Sequence, residues 1–144
     1  MRALTPFLWF KVPLDEVVAY YRSIFDDFRE LSTSPHTATF EIAGQRIMAL
    51  AGARHDFNES VSFFIECEDQ EEVDRYWGRL TADGGQESQC GWLKDRFGLS
   101  WQVVPKALME HLSDPDREKA ERVQQALLSM QKIDVAGLDR AAAG

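Results

Sequence analysis

Residues 61–77 read VSFFIECEDQEEVDRYW, and this stretch contains the unit from which the fold is built. Val61–Cys67 is a dense run of apolar residues, which predicts a β-strand. Asp69 is suited to cap a helix, and the residues after it have apolar side chains spaced along one helical face. That face consists of Val73, Tyr76, Trp77 and Leu80. The stretch therefore predicts a strand that leads directly into an amphipathic helix.

The same pattern occurs earlier in the chain. Glu16–Tyr21 (EVVAYY) aligns with Glu72–Trp77 (EVDRYW) when residue 16 is placed on residue 72. The preceding strands align one residue differently, with Leu8 on Phe63 and Phe10 on Ile65. A one-residue slip in a connecting loop is readily tolerated. The repeat predicts an α+β fold of two βαβββ modules, at about residues 1–54 and 59–105.

The remaining elements follow from alternation and from turn residues. Pro13 ends the first strand, and Asp15 is a candidate cap for the first helix. Residues 26–34 have too weak a pattern to predict an element. The turn Ala43-Gly44-Gln45 predicts a hairpin. The predicted strands are Thr5–Lys11, Thr37–Ile42, Arg46–Ala51, Val61–Cys67, Trp92–Asp95 and Leu99–Val104.

Residues 113–144 form a predicted helical extension beyond a first domain of residues 1–112. Asp114-Pro115 is typical of a helix start, with proline at the first helical position. An apolar face of Val123, Ala126, Leu127 and Met130 follows, and Asp134 is placed to begin a last short helix. This face must pack on its own domain or on a partner subunit.

Composition excludes several classes of function. The net charge is −8 and the basic residues are scattered, which disfavours binding to nucleic acid or to an anionic membrane. Cys67 and Cys90 lack the spacing of a zinc site. No signal peptide and no long apolar run is evident, so we expect a cytoplasmic protein with reduced thiols.

Three segments carry a resemblance to a known superfamily: TPFLWF, FNESVSFFIECEDQEEVDRYW and CGWLKDRFGLSWQVVP. With the two βαβββ modules, they resemble the vicinal-oxygen-chelate superfamily, which includes glyoxalase I, extradiol dioxygenases and bleomycin-resistance proteins. Within it, the chain is most similar to the PhnB-like group, often labelled 3-demethylubiquinone-9 3-methyltransferase. The segment SDPDREKAERVQQALLSMQKIDVAGL also resembles the C-terminal extension of that group.

The resemblance implies four inward-facing positions that bind a divalent metal in the metalloenzymes of the superfamily. In this chain they fall on Thr5, Ser60, a residue near Leu50, and Gln102. These neutral side chains cannot replace the hydration shell of a metal ion. A one-residue error in register would bring in Glu59 and leave the other positions unchanged. We therefore expect no metal and no cofactor.

Alternation also predicts which side chains face the cavity. Phe63 and Ile65 should face the helix, which leaves the intervening residues for the opposite face. The candidate ligand-binding residues are Phe7, Trp9, Ser60, Ser62, Trp92 and Gln102. The alternative is that the tryptophans are core residues and that the polar side chains are satisfied within the protein. His55-Asp56 is interpreted as a surface pair, and Lys94-Asp95 as part of a solvated turn.

These observations favour a PhnB-like protein whose metal-free cavity binds a small molecule. Methyl transfer is disfavoured, because no glycine-rich turn joins a strand to a helix. The alternatives are a divergent metal-dependent lyase or dioxygenase, and a non-catalytic interaction module. Whether the protein is an enzyme stays open. We expect a homodimer, since exposed sheet edges are commonly covered by pairing.

Overall fold

The computed structural model describes the whole chain, Met1–Gly144, as two units, Met1–Asp56 and Phe57–Gly144. The first unit has one helix and a four-stranded sheet of order β1-β4-β3-β2. Strands β1 and β4 are parallel and the other pairs are antiparallel. Its elements are β1 (Phe7–Phe10), α1 (Leu14–Ile24), β2 (Phe28–Thr33), β3 (Thr37–Ile42) and β4 (Gln45–Ala51).

The hairpin between β3 and β4 closes at Ala43-Gly44, as predicted. Both residues have positive φ, 50° and 79°, which is the geometry of a tight turn whose twist matches the strands. Ile42 pairs with Gln45 directly across this turn. The turn sets the register that places Ala38, Phe40 and Ile42 in the core.

Helix α1 buries the predicted face. Val17, Val18 and Tyr21 are almost fully buried, and the Tyr21 ring contacts Phe10 and Phe40. The predicted Asp15 cap is wrong: the helix begins at Leu14, its N-cap is Pro13, and no side chain caps it. Asp15 instead lies in the first turn, where a carboxylate favours the positive end of the helix dipole.

Strand β2 belongs to the predicted module, but its position in the chain was not predicted. Phe28 stacks on Phe40, but the rest of the strand is exposed and polar. The pairing with β3 shifts between Glu30 and Ser32. Arg29 donates two hydrogen bonds to Glu41 on β3. An edge strand of this kind is held by its neighbour, so it shows no apolar alternation.

The second unit repeats the strand order as β5-β8-β7-β6, with β5 and β8 parallel. The two βαβββ modules are thus confirmed. The predicted Asp69 cap is also confirmed, because its side chain accepts a hydrogen bond from the Glu72 N–H. The elements are β5 (Ser62–Cys67), α2 (Gln70–Thr81), β6 (Gln86–Glu87), β7 (Trp92–Lys94), β8 (Ser100–Pro105), α3 (Lys106–Leu112), α4 (Arg117–Leu127) and α5 (Val135–Ala143).

The three C-terminal helices pack on their own unit. Their shared core consists of Val104, Leu108, Val123, Leu127, Ile133, Leu138 and Ala142. Helix α3 was not predicted, and the predicted start of α4 at Asp114-Pro115 is wrong. Asp116 caps α4 by accepting hydrogen bonds from the N–H groups of Glu118 and Lys119. The apolar face of the extension is therefore buried within the chain.

Two contacts attach the segment before α5 to the sheet and to α2. The N–H of Gly91 donates to the Gln131 carbonyl at 2.8 Å, and a side chain at Gly91 would meet Ile133 Cδ1 at 2.7 Å. Gln70 on α2 accepts from the Val135 N–H at 2.7 Å and donates to the Ile133 carbonyl at 3.0 Å. Asp134 occupies the predicted N-cap position of α5, but Gln70 supplies the side-chain bond. None of the five helices is long and apolar enough to cross a membrane.

Candidate functional site

Each sheet has one face covered by its helix and one open face. In the first unit, Leu8 and Phe10 are buried on the helix side, while Phe7 and Trp9 point the other way and are 52% and 40% exposed. Phe7 pairs with Met48 and Trp9 with Leu50 across the parallel β1–β4 ladder. The open face of the first sheet is therefore apolar and partly exposed.

Trp9 is held in a defined position. Its indole N–H donates to the Ala51 carbonyl at 2.9 Å, and the His55 ring lies edge-on at 6.2 Å between ring centroids. Asp56 forms an ion pair with Lys11, which lowers the pKa of the Asp56 carboxyl. His55 is thus a neighbour of Trp9, and the carboxylate next to it in the chain is engaged by a lysine.

In the second unit, Phe63 and Trp101 meet edge to face on the helix side, at 5.2 Å. The open face presents Ser62, Phe64, Trp92 and Gln102. Gln102 donates to the Ser62 hydroxyl at 2.9 Å, and Trp92 is the register partner of Gln102 on β7. Ser60 is separate from this group: it is exposed in the loop before β5, where its N–H bonds to Asn58.

A cavity of about 190 Å³ lies beside this open face. Its wall includes Trp92, Lys94, Gln86 and Ser100, and Glu59 closes one side. Lys94 bonds Glu59 at 2.5 Å, and this hydrogen bond lowers the pKa of the Glu59 carboxyl. Of the six residues predicted to bind a ligand, only Trp92 lines the cavity.

Ser100 is the cavity residue with an unusual environment. The residue is 1% exposed, and its hydroxyl oxygen has no hydrogen-bond partner. Buried polar atoms are nearly always paired, so this hydroxyl is an exception, and its oxygen has almost no surface that a water-sized molecule in the cavity could contact. Ser100 was not among the predicted ligand-binding residues, although alternation places it on the same face as Gln102.

Asp95 corrects the prediction of a solvated Lys94-Asp95 turn. The residue is 2% exposed, and one carboxylate oxygen accepts from the N–H groups of Phe97 and Leu99. The other oxygen accepts from the Trp101 indole N–H at 2.9 Å. Asp95 thereby fixes the turn that leads into β8, and so the position of Ser100.

The residues at the positions implied for a metal do not fit a divalent ion. Thr5, Leu50, Ser60 and Gln102 supply no charge and no imidazole. No group of three or more His, Cys, Asp or Glu side chains is arranged to hold a metal. The expectation of a metal-free protein stays a prediction.

Both cysteines are free, and the surroundings of Cys67 do not suit a nucleophile. Cys67 is fully buried, and burial raises the pKa of its thiol to about 12, with Glu72 and Asp69 adding to the shift. Nucleophilic cysteines need the opposite shift, toward the thiolate. Cys90 packs against the core of the C-terminal helices.

Two βαβββ modules, each with a four-stranded sheet, define a glyoxalase-like, vicinal-oxygen-chelate fold. The FosX fosfomycin resistance protein from Listeria monocytogenes, in a crystal structure with Mn(II) and sulfate ion, matches with a TM-score of 0.55 and 21% identity, over 70% of this chain and 87% of that chain. Protein PA1353 from Pseudomonas aeruginosa matches with a TM-score of 0.59 and 17% identity, over 73% and 98%.

A PhnB protein from Bacillus cereus, described as a 3-demethylubiquinone-9 3-methyltransferase, is 27% identical. The structural match covers 72% of this chain and 99% of the PhnB chain, with a TM-score of 0.63. The family model with the same description, 3-demethylubiquinone-9 3-methyltransferase, matches residues 2–104, and the chain belongs to this family. Comparison with curated proteins gave no significant match.

The family match ends at Val104, immediately before α3. Helices α3–α5 therefore lie beyond the part of the chain that the family model describes. The proposed resemblance of this extension to a C-terminal extension of the group stays a prediction.

Proposed function

We propose that this PhnB-like protein binds a small molecule on the open face of its second sheet, without a metal ion. The observation that carries the proposal is the cavity of about 190 Å³, whose wall combines the Trp92 side chain with the polar residues Gln86, Ser88 and Lys94. Ligand sites in proteins are typically concave, with aromatic walls and a few well-placed polar groups. The neighbouring Ser62–Gln102 pair offers further polar atoms on the same face.

Methyl transfer, which the family description names, has less support in this chain. Methyl donors and nucleotides are usually cradled by a glycine-rich turn between a strand and a helix. Here Lys11–Pro13 joins β1 to α1 and Glu68–Asp69 joins β5 to α2, neither connection contains glycine, and β8 leads directly into α3. Gly44 lies in a hairpin, and Gly84-Gly85 follows a helix. The proposed role is therefore binding, and catalysis stays open.

A fragment screen by protein NMR tests the proposal. We expect small aromatic fragments to shift the backbone amide signals of Trp92, Leu93 and Ser100. Trp92→Ala should abolish these shifts, while Leu128→Ala, a truncation of an exposed side chain at the end of α4, should leave them unchanged. The proposal is wrong if no fragment binds near Trp92 or if the shifts persist in Trp92→Ala.

We also propose that the chain forms a homodimer. Phe7, Trp9 and Phe64 are 40–52% exposed on open sheet faces, and exposed apolar patches commonly mark interfaces. The apolar face of α4 supplies no such surface, because Val123 and Leu127 are buried within the chain. Light scattering should give twice the 16.4 kDa chain mass, and Phe7→Asp should return it to the monomer value. A wild-type mass near 16.4 kDa at micromolar concentration contradicts the dimer.

For location and other partners, we propose a cytoplasmic protein that does not bind nucleic acid. Free thiols at Cys67 and Cys90 suit a reducing compartment. A net charge of −8 works against a polyanionic partner. Labelling of both thiols in unfolded protein taken directly from cells would test the location.

A further inference from the structure

We propose that the cavity beside Trp92 takes a compact, singly negative molecule with one flat ring, whose anionic group displaces Glu59 from Lys94. This inference rests on the proposed function and specifies the class of ligand. The observations behind it are the Lys94–Glu59 ion pair, the directions of the charged side chains in the wall, and the size of the cavity.

The cavity wall contains one cation, Lys94, which lies on β7. Strand β7 is paired with β6 on one side and with β8 on the other, so the backbone of Lys94 is fixed within the sheet. Its ammonium bonds the Glu59 carboxylate at 2.5 Å. Glu59 belongs to the loop before β5, and its side chain is 63% exposed, against 34% for Lys94. The cation is therefore part of the sheet, while its partner comes from an exposed loop.

The position that Glu59 occupies beside Lys94 favours a negative charge. Hydrogen bonding to Lys94 lowers the pKa of the Glu59 carboxyl, so this position holds a carboxylate in its ionised form. Ion pairs between exposed side chains contribute little to stability, because water and salt screen them and both side chains lose freedom. A ligand anion that reaches Lys94 can therefore replace the Glu59 carboxylate at small cost.

The second carboxylate of the wall points away from this position. Glu87 pairs with Leu93 across β6 and β7, and Leu93 is 1% exposed. The Glu87 carboxylate accepts from the indole N–H of Trp77, a residue of α2, at 2.7 Å. Trp92 and Lys94 flank Leu93 on β7 and so lie on the opposite face of the sheet. An anion bound to Lys94 therefore meets no carboxylate of β6 or β7 on its own face.

The rest of the wall suits a single ring that carries one acidic group. Trp92 and Lys94 are two residues apart on β7, about 7 Å along the strand. A ring packed against the indole, which is a favourable contact between aromatic groups, can therefore direct its acidic group at the ammonium. Gln86, the register partner of Lys94 on β6, is uncharged and can donate through its amide. The 190 Å³ of the cavity is smaller than the roughly 300–1,000 Å³ of pockets for drug-sized molecules, which limits the ligand to one ring.

Benzoate and benzamide make a matched pair of probes, because they share the ring and differ in the charge of one small group. We expect benzoate to shift the amide signals of Trp92, Leu93 and Lys94 saturably and to bind more tightly than benzamide. Lys94→Met should weaken benzoate binding about tenfold, since it removes a charge-assisted hydrogen bond, and should change benzamide binding less than about twofold. Glu59→Gln should strengthen benzoate binding about two- to fivefold, because the competing carboxylate is gone.

Glu110→Gln is the control for the change in net charge. Glu110 is an exposed residue of α3 that does not line the cavity, so this variant should bind benzoate as the wild type does. Both side chains of the Lys94–Glu59 pair are partly exposed. Lys94→Met and Glu59→Gln should therefore fold, which unchanged amide signals away from the cavity would show.

Equal benzoate affinity in Lys94→Met and in the wild type overturns the inference. So does a gain in Glu59→Gln that is no larger than the gain in Glu110→Gln. If benzamide binds the wild type as tightly as benzoate and Trp92→Ala abolishes both, the ligand class is wrong but the proposed function stands. If neither probe reaches the cavity, the inference is wrong, and the fragment screen judges the proposed function separately.

Discussion

Gly91→Ala is the sharpest test of how the C-terminal segment is held. Gly91 has φ +84°, and an added Cβ would lie 2.7 Å from Ile133 Cδ1 and 3.1 Å from the Val103 carbonyl oxygen. The left-handed backbone costs an L-residue about 1–2 kcal/mol. Forcing an atom into this packed contact adds about 1–3 kcal/mol. We expect Gly91→Ala to lower the free energy of unfolding by about 2–5 kcal/mol.

Gly98→Ala is the matched control. Gly98 has the same φ of +84°, but nothing lies within 4 Å of its added Cβ. This variant should therefore lose only the backbone contribution of about 1–2 kcal/mol. Urea unfolding, followed through amide NMR signals of the second unit, gives both values. If Gly91→Ala costs no more than Gly98→Ala, Ile133 does not pack at Gly91 and the described docking is wrong.

A double-mutant cycle identifies the atom responsible. Ile133→Val removes Cδ1 and should cost about 0.5–1.5 kcal/mol in the wild type, because Ile133 is fully buried. In the Gly91→Ala background the same change relieves the clash, so it should be neutral or stabilising. An interaction energy of at least about 1 kcal/mol is expected, and additive effects would refute the contact.

Three further predictions concern other residues of the second unit. Asp95→Asn sets its amide NH2 either against the Trp101 indole N–H or against the N–H groups of Phe97 and Leu99, so it should cost about 2–3 kcal/mol in urea unfolding. Gln70→Leu leaves the Val135 N–H and the Ile133 carbonyl without their partner, and should cost about 1–3 kcal/mol and speed amide exchange at Val135. Burial raises the pKa of Cys67 from 9.0 to about 12, so the unfolded thiol loses its proton first. Stability should fall as the pH rises from about 9 toward 12, and Cys67→Ala should flatten this decline, measured by unfolding at each pH.

The predictions for Asp95 and Gln70 each have a control variant in the same chain. Asp83→Asn changes a carboxylate with an exposed side chain and should cost less than about 0.5 kcal/mol. Gln125→Leu removes an exposed hydrogen bond within α4 and should leave amide exchange at Val135 unchanged. If Asp95→Asn or Gln70→Leu lowers the free energy of unfolding no more than its control variant does, the assigned hydrogen bonds are contradicted. Rising stability above pH 9 contradicts the sign of the Cys67 shift.

The elements predicted from sequence are those with a strong local pattern. Thr37–Ile42 alternates cleanly, and the observed strand has the same limits. Strand β2 has no such pattern, because its polar residues depend on the neighbouring strand for their position. The wrong helix caps share another cause. Several acidic residues stand near each helix start, and the path of the backbone decides which one faces the free N–H groups.

The candidate site likewise contains residues whose placement the sequence predicted and residues whose surroundings it did not. Alternation was enough to place Phe7 and Trp9 on an open face, because strand residues point to opposite sides in turn. It could not find the special status of Ser100, which depends on which atoms from three strands surround one oxygen. Alternation also could not predict that Asp95 is buried, because this depends on the Trp101 indole, whose N–H donates to the Asp95 carboxylate.

The late position of Ile133 and Leu138 has a consequence for synthesis on the ribosome. The first unit is complete at Asp56, so all its strands have emerged while most of the chain is still to be made. The cluster that buries Val104 of β8 also includes Ile133, which follows α4 in the chain, and Leu138 of α5. Domains generally fold as units, with the N-terminal one first during translation. The second module can therefore complete this core only after Ile133 and Leu138 have been made, whereas the first unit needs no residue beyond Asp56.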